Sequence, residues 1–181
     1  MRSLIFWISK MDKFFKVDQK LISSLLNSIC GYCDLTIGEF IDDIELLKTL
    51  IDGKADIHAD DDYALRDASY KGHDAVVKML INAKANTNAQ DDQALSDASE
   101  NGHDAVVQML INAGANIHAR NDQALSDASY GGHATIVQML INAKANIHAL
   151  SDEALSDASK NGHDAVVQML INAKADIHRG N

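Results

Sequence analysis

Asp92-Gln-Ala-Leu-Ser-Asp-Ala-Ser-Glu-Asn-Gly-His-Asp-Ala-Val-Val-Gln-Met-Leu-Ile-Asn-Ala-Gly-Ala-Asn-Ile-His-Ala-Arg120 decides the fold, because it recurs when the chain is shifted by 30 residues either way. Ala64-Leu65, Ala94-Leu95, Ala124-Leu125 and Ala154-Leu155 fall in register, as do Gly72-His73, Gly102-His103, Gly132-His133 and Gly162-His163. A fixed period of this size marks a solenoid of stacked units.

Each unit reads as two short antiparallel helices. Asp92 is expected to cap the first, whose residues Ala94, Leu95, Ala98 and Ser99 share one face. Gly102 supplies the left-handed backbone that closes it. The second helix, from about His103 to Asn112, carries Val106, Val107, Leu110 and Ile111 at the same spacing. Neither is expected to exceed about three turns, so each unit must bury its apolar stripes against its neighbours.

The unit resembles the ankyrin repeat. Leu95, Ala98, Gly102-His103, Val106-Val107, Leu110-Ile111, Ala115-Asn116-Ile117 and Ala119 fall in order on that family's pattern. The resemblance covers residues 31–181 as units of about 31–60, 61–90, 91–120, 121–150 and 151–180. In the first, which is degenerate, Leu46-Leu47, Leu50-Ile51 and Ala55-Asp56-Ile57-His58-Ala59 fit, whereas Asp42-Asp43 replace Gly-His. The implied fold is all-α: an ankyrin-like solenoid of about five helix-turn-helix repeats.

The departures from the family pattern are informative. The repeat is shorter than the family's usual length, and the deficit falls between Ala119 and Leu125, where the family builds its β-hairpin finger; a short turn is expected instead. Such truncated units resemble those of giant viruses and obligate intracellular bacteria, which implies a cytoplasmic setting, including a host's. Lys84, Lys144 and Lys174 stand where the family places a left-handed glycine, which Gly114 keeps. Keeping that conformation at a lysine costs about 1 kcal/mol.

Composition sets the class of partner. With 181 residues, 46% hydrophobic and 23% charged, the chain has the make-up of a soluble repeat domain. Residues 1–20 hold five Lys/Arg against Asp12 and Asp18, or +3, which leaves −13 on the remainder of a chain whose formal charge is −10. That disfavours nucleic acid and favours another protein with a basic surface.

Residues 1–30 are a different kind of sequence, holding Leu4, Trp7, Ile8, Met11, Phe14, Phe15, Leu21, Ile22, Leu25 and Leu26 at helical spacing. They read as two helices divided near Asp18 that cap the first unit. The alternative is a membrane tether by residues 1–20, with Phe6, Trp7 and Phe14 beside Lys10, Lys13 and Lys16. A signal peptide is disfavoured, because Ser9-Lys10 interrupts the apolar run from Leu4 to Ile8.

Several motifs invite chemistry without supporting it. Cys30-Gly-Tyr-Cys33 lacks the βαβ context of a redox pair and the further ligands of a zinc site, so two reduced thiols are expected. The histidines form two ladders: 73, 103, 133 and 163 after the glycine, and 58, 118, 148 and 178 in the loops. Neighbouring units are too widely spaced for such residues to share one ion, so they are expected to hydrogen-bond within loops. Asp67, Asp97, Asp127 and Asp157 run along the first helices as a solvated flank, with Asp67 and Lys71 spaced as a surface ion pair. No companion acid or base and no phosphate loop accompanies them, so neither enzymatic activity, cofactor nor metal is expected.

The expected function is a protein-interaction module whose repeated residues hold the scaffold and whose varied residues carry specificity. Positions 70, 100, 130 and 160 are Tyr70, Glu100, Tyr130 and Lys160. Next to them stand Lys71, Asn101 and Asn161, and the turns vary at Gln90, Arg120 and Leu150. By resemblance these lie at helix ends and turn tips of a concave side. A self-associating structural element is the remaining alternative. The last unit keeps Val166-Val167 and Leu170-Ile171 with no polar cap following, so its outer face is expected to be open.

Overall fold

The Ala-Leu pairs and the Val-Val and Leu-Ile pairs become the buried faces of alternating helices. The computed structural model describes residues 37–179, with side chains described from 44 to 173. The expectations for residues 1–30, for Cys30 and Cys33 and for the side chain of His178 lie outside these. Among the described residues nine helices and no strands occur, an all-α, solenoid-like fold. They are α1 (Ile37–Asp52), α2 (Ala59–Tyr70), α3 (Asp74–Asn82), α4 (Ala89–Glu100), α5 (Asp104–Asn112), α6 (Gln123–Gly131), α7 (Ala134–Asn142), α8 (Ala149–Lys160) and α9 (Asp164–Arg179).

The chain divides into two compact units, the first ending at Asn86 and the second running from Thr87 to Asn181. In the first, α3 packs against α1 and α2. Leu47, Ala64, Leu65, Ala68, Val76, Val77 and Leu80 are sealed from solvent there. In the second, α4, α6 and α8 pack side by side, α5, α7 and α9 do the same, and each helix of the first row packs on its successor in the other. Its core is Ala94, Leu95, Ala98, Val106, Val107, Leu110 and their counterparts 30 residues on. At about 25 cal/mol per Å² of apolar area, burial of this kind stabilises helices of nine residues that would not persist alone.

Helix α4 ends as the glycine predicts. Gly102 has φ +76°, and the His103 N–H returns to the Ala98 carbonyl at 3.0 Å. A second constraint falls on the same glycine: a Cβ there would lie 2.6 Å from the His133 ring, and Gly132 meets His163 in the same way. Each histidine thus packs on the glycine of the preceding repeat, and any side chain at Gly102 would displace it.

The region that replaces the β-hairpin finger is a left-handed turn. Asp60–Asp62, Gln90–Asp92, Arg120–Asp122 and Leu150–Asp152 all have φ between 50° and 62° and ψ in the left-handed range where it is resolved by helix. Three such residues in a row cost about 1–2 kcal/mol each. The right-handed part of each first helix therefore begins one residue later, at Tyr63, Gln93, Gln123 and Glu153.

Two expectations are corrected. Asp122 makes no capping bond to its own helix; it and its counterparts reach a distant loop, as described below. Helix α9 runs on to Arg179, through Lys174, where Lys84 and Lys144 have φ of 75° and 76°. Each internal second helix is followed by a loop whose backbone N–H bonds to a carboxylate 24 residues earlier, whereas the Asp152 side chain is 48% exposed. The outer residues of the last repeat are more exposed than their counterparts: Ile171 is 48% exposed, and Leu155 and Val167 are half-buried where Leu125 and Val137 are sealed.

Candidate protein-interaction surface

The left-handed turns are held from beneath by their third residue. The Asn86 N–H donates to the Asp62 carboxylate at 2.7 Å, Asn116 to Asp92 at 2.7 Å and Asn146 to Asp122 at 2.8 Å. His58 Nδ1 lies 3.0 Å from Asp62 and His118 Nδ1 2.9 Å from Asp122, so the loop histidines orient these carboxylates as expected. Asp62, Asp92 and Asp122 are buried. Burial pushes the Asp92 carboxyl above its ordinary range, opposed by the Asn116 N–H bond.

The other histidine ladder differs from expectation. His133 Nε2 donates to the Glu100 carbonyl at 2.9 Å and His163 Nε2 to the Tyr130 carbonyl at 2.8 Å. These bonds reach back to the end of the preceding first helix, satisfying a carbonyl that the helix leaves open. They fix the residue positions that vary most. Among the described residues no three His, Cys, Asp or Glu converge as a metal would require.

All ten varied residues singled out in the sequence are exposed. In the first unit these are Tyr70, closing α2, and Lys71 after it. In the second, Glu100 and Lys160 close α4 and α8, and Tyr130 stands one residue before the end of α6. Asn101 and Asn161 follow α4 and α8, and each donates its side-chain amide to a carbonyl four residues back, at Asp97 and Asp157. Gln90, Arg120 and Leu150 each open a left-handed turn. Tyr70 and Tyr130 are 51% and 56% exposed, far more than a core tyrosine.

Arg120 is not a loose surface charge. Its guanidinium donates to Gln93 Oε1 and to the Gln90 carbonyl, both at 2.6 Å, tying two turns of the second unit together. In the first unit Arg66 donates to the Asp60 and Asp61 carbonyls at 2.9 and 3.1 Å and lies 5.6 Å over the Tyr63 ring. Tyr63 and Arg66 were missed in the sequence. The signal was present: positions 63, 93, 123 and 153 are Tyr, Gln, Gln and Glu, and Arg66 replaces the serine of the later repeats.

The aspartate flank is less solvated than expected. Lys71 pairs with Asp67 at 3.3 Å, as its spacing predicts. Asp127 is pushed above its ordinary range, first by burial and then by Glu100 and Asp97, against hydrogen bonds from Gln123 and Ser96. Chemically, this surface can accept donors and cations and can pack aromatic rings.

Residues 39–121 match the family model of ankyrin repeats, in three copies. No curated protein matches the sequence.

Proposed function

We propose that the chain, whose residues 39–121 match the family model of ankyrin repeats, acts as a docking module for another protein, engaged by the ends of the first helices and the tips of the left-handed turns. Ankyrin repeats are generally protein–protein interaction modules and typically not enzymes. The observation that carries the finer reading is how variation and exposure coincide within one chain. Repeated residues such as Leu95, Leu125, Val107 and Val137 are sealed, whereas positions 70, 100, 130 and 160 differ and all face solvent. Exposed tyrosines bring rigid contact area with a polar tip, the kind of residue that dominates interface energy. The formal charge of −10 favours a partner with a basic surface.

The test is a Tyr70→Ala, Tyr130→Ala double variant, measured against a partner recovered from lysate. Controls are Gln108→Ala and Gln138→Ala, on second helices, where each amide meets only the asparagine four residues on. The double variant is expected to melt as the parent does and to lose about 2 kcal/mol or more of binding. Unchanged binding there, with loss in the second-helix variants, would place the partner elsewhere.

A further inference from the structure

The second unit holds two copies of one cradle, and among the described residues only the first is filled from within the chain. In the first copy Gln93 Nε2 donates to the Asp97 carboxylate, which turns Oε1 outward, and that oxygen and the Gln90 carbonyl accept the two arms of the Arg120 guanidinium. Thirty residues on, Gln123 Nε2 donates to Asp127 at 2.7 Å, which leaves Oε1 as the acceptor of the same amide. The Arg120 carbonyl takes the place of the Gln90 carbonyl, on a turn of the same shape: φ is 50°, 57° and 59° over residues 120–122 against 53°, 54° and 59° over 90–92. Where Arg120 would recur stands Leu150, which has no donor and is 39% exposed. Among the described residues no side-chain donor reaches Gln123 Oε1.

We infer that Gln123 Oε1 and the Arg120 carbonyl take an arginine side chain of the partner protein, in the arrangement by which Gln93 and Gln90 take Arg120. Two outward acceptors suit the planar fork of a guanidinium better than a lysine ammonium, which presents a point charge. The surroundings favour a cation, since the Asp127 carboxylate that accepts from Gln123 has the carboxylates of Glu100 and Asp97 near it. A guanidinium there would also bring its aliphatic stem near the exposed Leu150. The inference rests on the turn tips being a docking surface, and it adds the chemistry that one of them reads.

The probe is an acetylated, amidated Gly-Arg-Gly-Arg-Gly peptide, with lysine and citrulline versions, titrated into the full chain. Side-chain amide resonances of Gln123 and Gln93 are followed by NMR. The Gln123 signal is expected to move saturably with the arginine peptide, at least about tenfold more weakly with lysine, and not with citrulline, while Gln93 stays still. Leu150→Arg supplies the guanidinium in cis, at a backbone φ of 50° that Arg120 itself adopts. That variant should shift Gln123 without peptide and abolish the titration. A Gln123 signal that ignores both the peptide and Leu150→Arg overturns the cradle. If the peptide instead moves Tyr130 and Glu100, the docking surface stands without it; if the shifts collect on Gln108 and Gln138, both fall.

Discussion

The Asp92 carboxylate lies 2.7 Å from the backbone nitrogen of Asn116, 24 residues away, and the same bond joins Asp62 to Asn86 and Asp122 to Asn146. It ties the turn that opens a repeat to the loop that closes it. Asp122→Ala removes a buried acceptor and places a poor residue at φ 59°, so it should cost about 1–3 kcal/mol. Asp122→Asn, which keeps an acceptor and tolerates that φ, should recover more than half. Asp152→Ala should stay within about 0.5 kcal/mol, because its side chain is 48% exposed and pairs with the exposed His148. Denaturant unfolding reads all three, and equal losses at 122 and 152 would dismiss the tie.

Ser69, Ser99 and Ser129 are fully buried with unpartnered hydroxyls. Desolvating a hydroxyl without a bond is costly, so Ser99→Ala and Ser129→Ala should each gain about 1 kcal/mol. Ser159→Ala, at an exposed counterpart, reports the gain in helix propensity alone. Melting temperatures that rise equally at 129 and 159 would show that the buried hydroxyl costs nothing.

Asp127 has a folded-state pKa above its ordinary value, so the folded chain binds more protons than the unfolded one between the two. Stability therefore falls as pH rises through that window, and the full penalty is present above it. Asp127→Asn should raise the melting temperature near neutral pH and lose this advantage below the ordinary carboxylate pKa. A benefit that is the same at pH 3 and pH 7 would rule out the carboxylate charge as its source.

Lys84 and Lys144 hold φ of 75° and 76° at the stop of their helices, where Gly114 holds 93°. Replacing either lysine by glycine should stabilise by up to about 1 kcal/mol. Gly114→Ala should destabilise by a similar amount for backbone reasons alone, since an added Cβ would meet nothing within 4 Å. Opposite signs in calorimetry are expected; like signs would indicate that side-chain contacts decide these positions.

The periodic part of the fold was open to reading in the sequence because burial and helix spacing repeat together. Ala94, Leu95, Ala98 and Ser99 on one helix and Val106, Val107 and Leu110 on the next are sealed as their spacing requires. The partner of Asp92 was not open to reading, since a helix-capping pattern is local and the bond it forms spans 24 residues. Nothing in Gln90-Asp-Asp or Arg120-Asn-Asp announces three left-handed residues, because glycine is absent there. The exposed residues at helix ends stood out through internal variation, whereas Tyr63 and Arg66 were passed over because they sit mid-repeat.

Asp60, Gln90, Arg120 and Leu150 open their turns with φ of 54°, 53°, 50° and 50°, whatever the side chain. The steric cost of that conformation comes from the Cβ and the backbone, so it is nearly common to residues as unlike as glutamine, arginine and leucine. Exchanging one of them for another therefore changes the chemistry on display at little backbone cost, the hydrogen bonds of the Arg120 side chain being lost only where that residue is the one exchanged. Mutation can rewrite these tips one repeat at a time, so what they display is free to diverge faster than the scaffold that presents it.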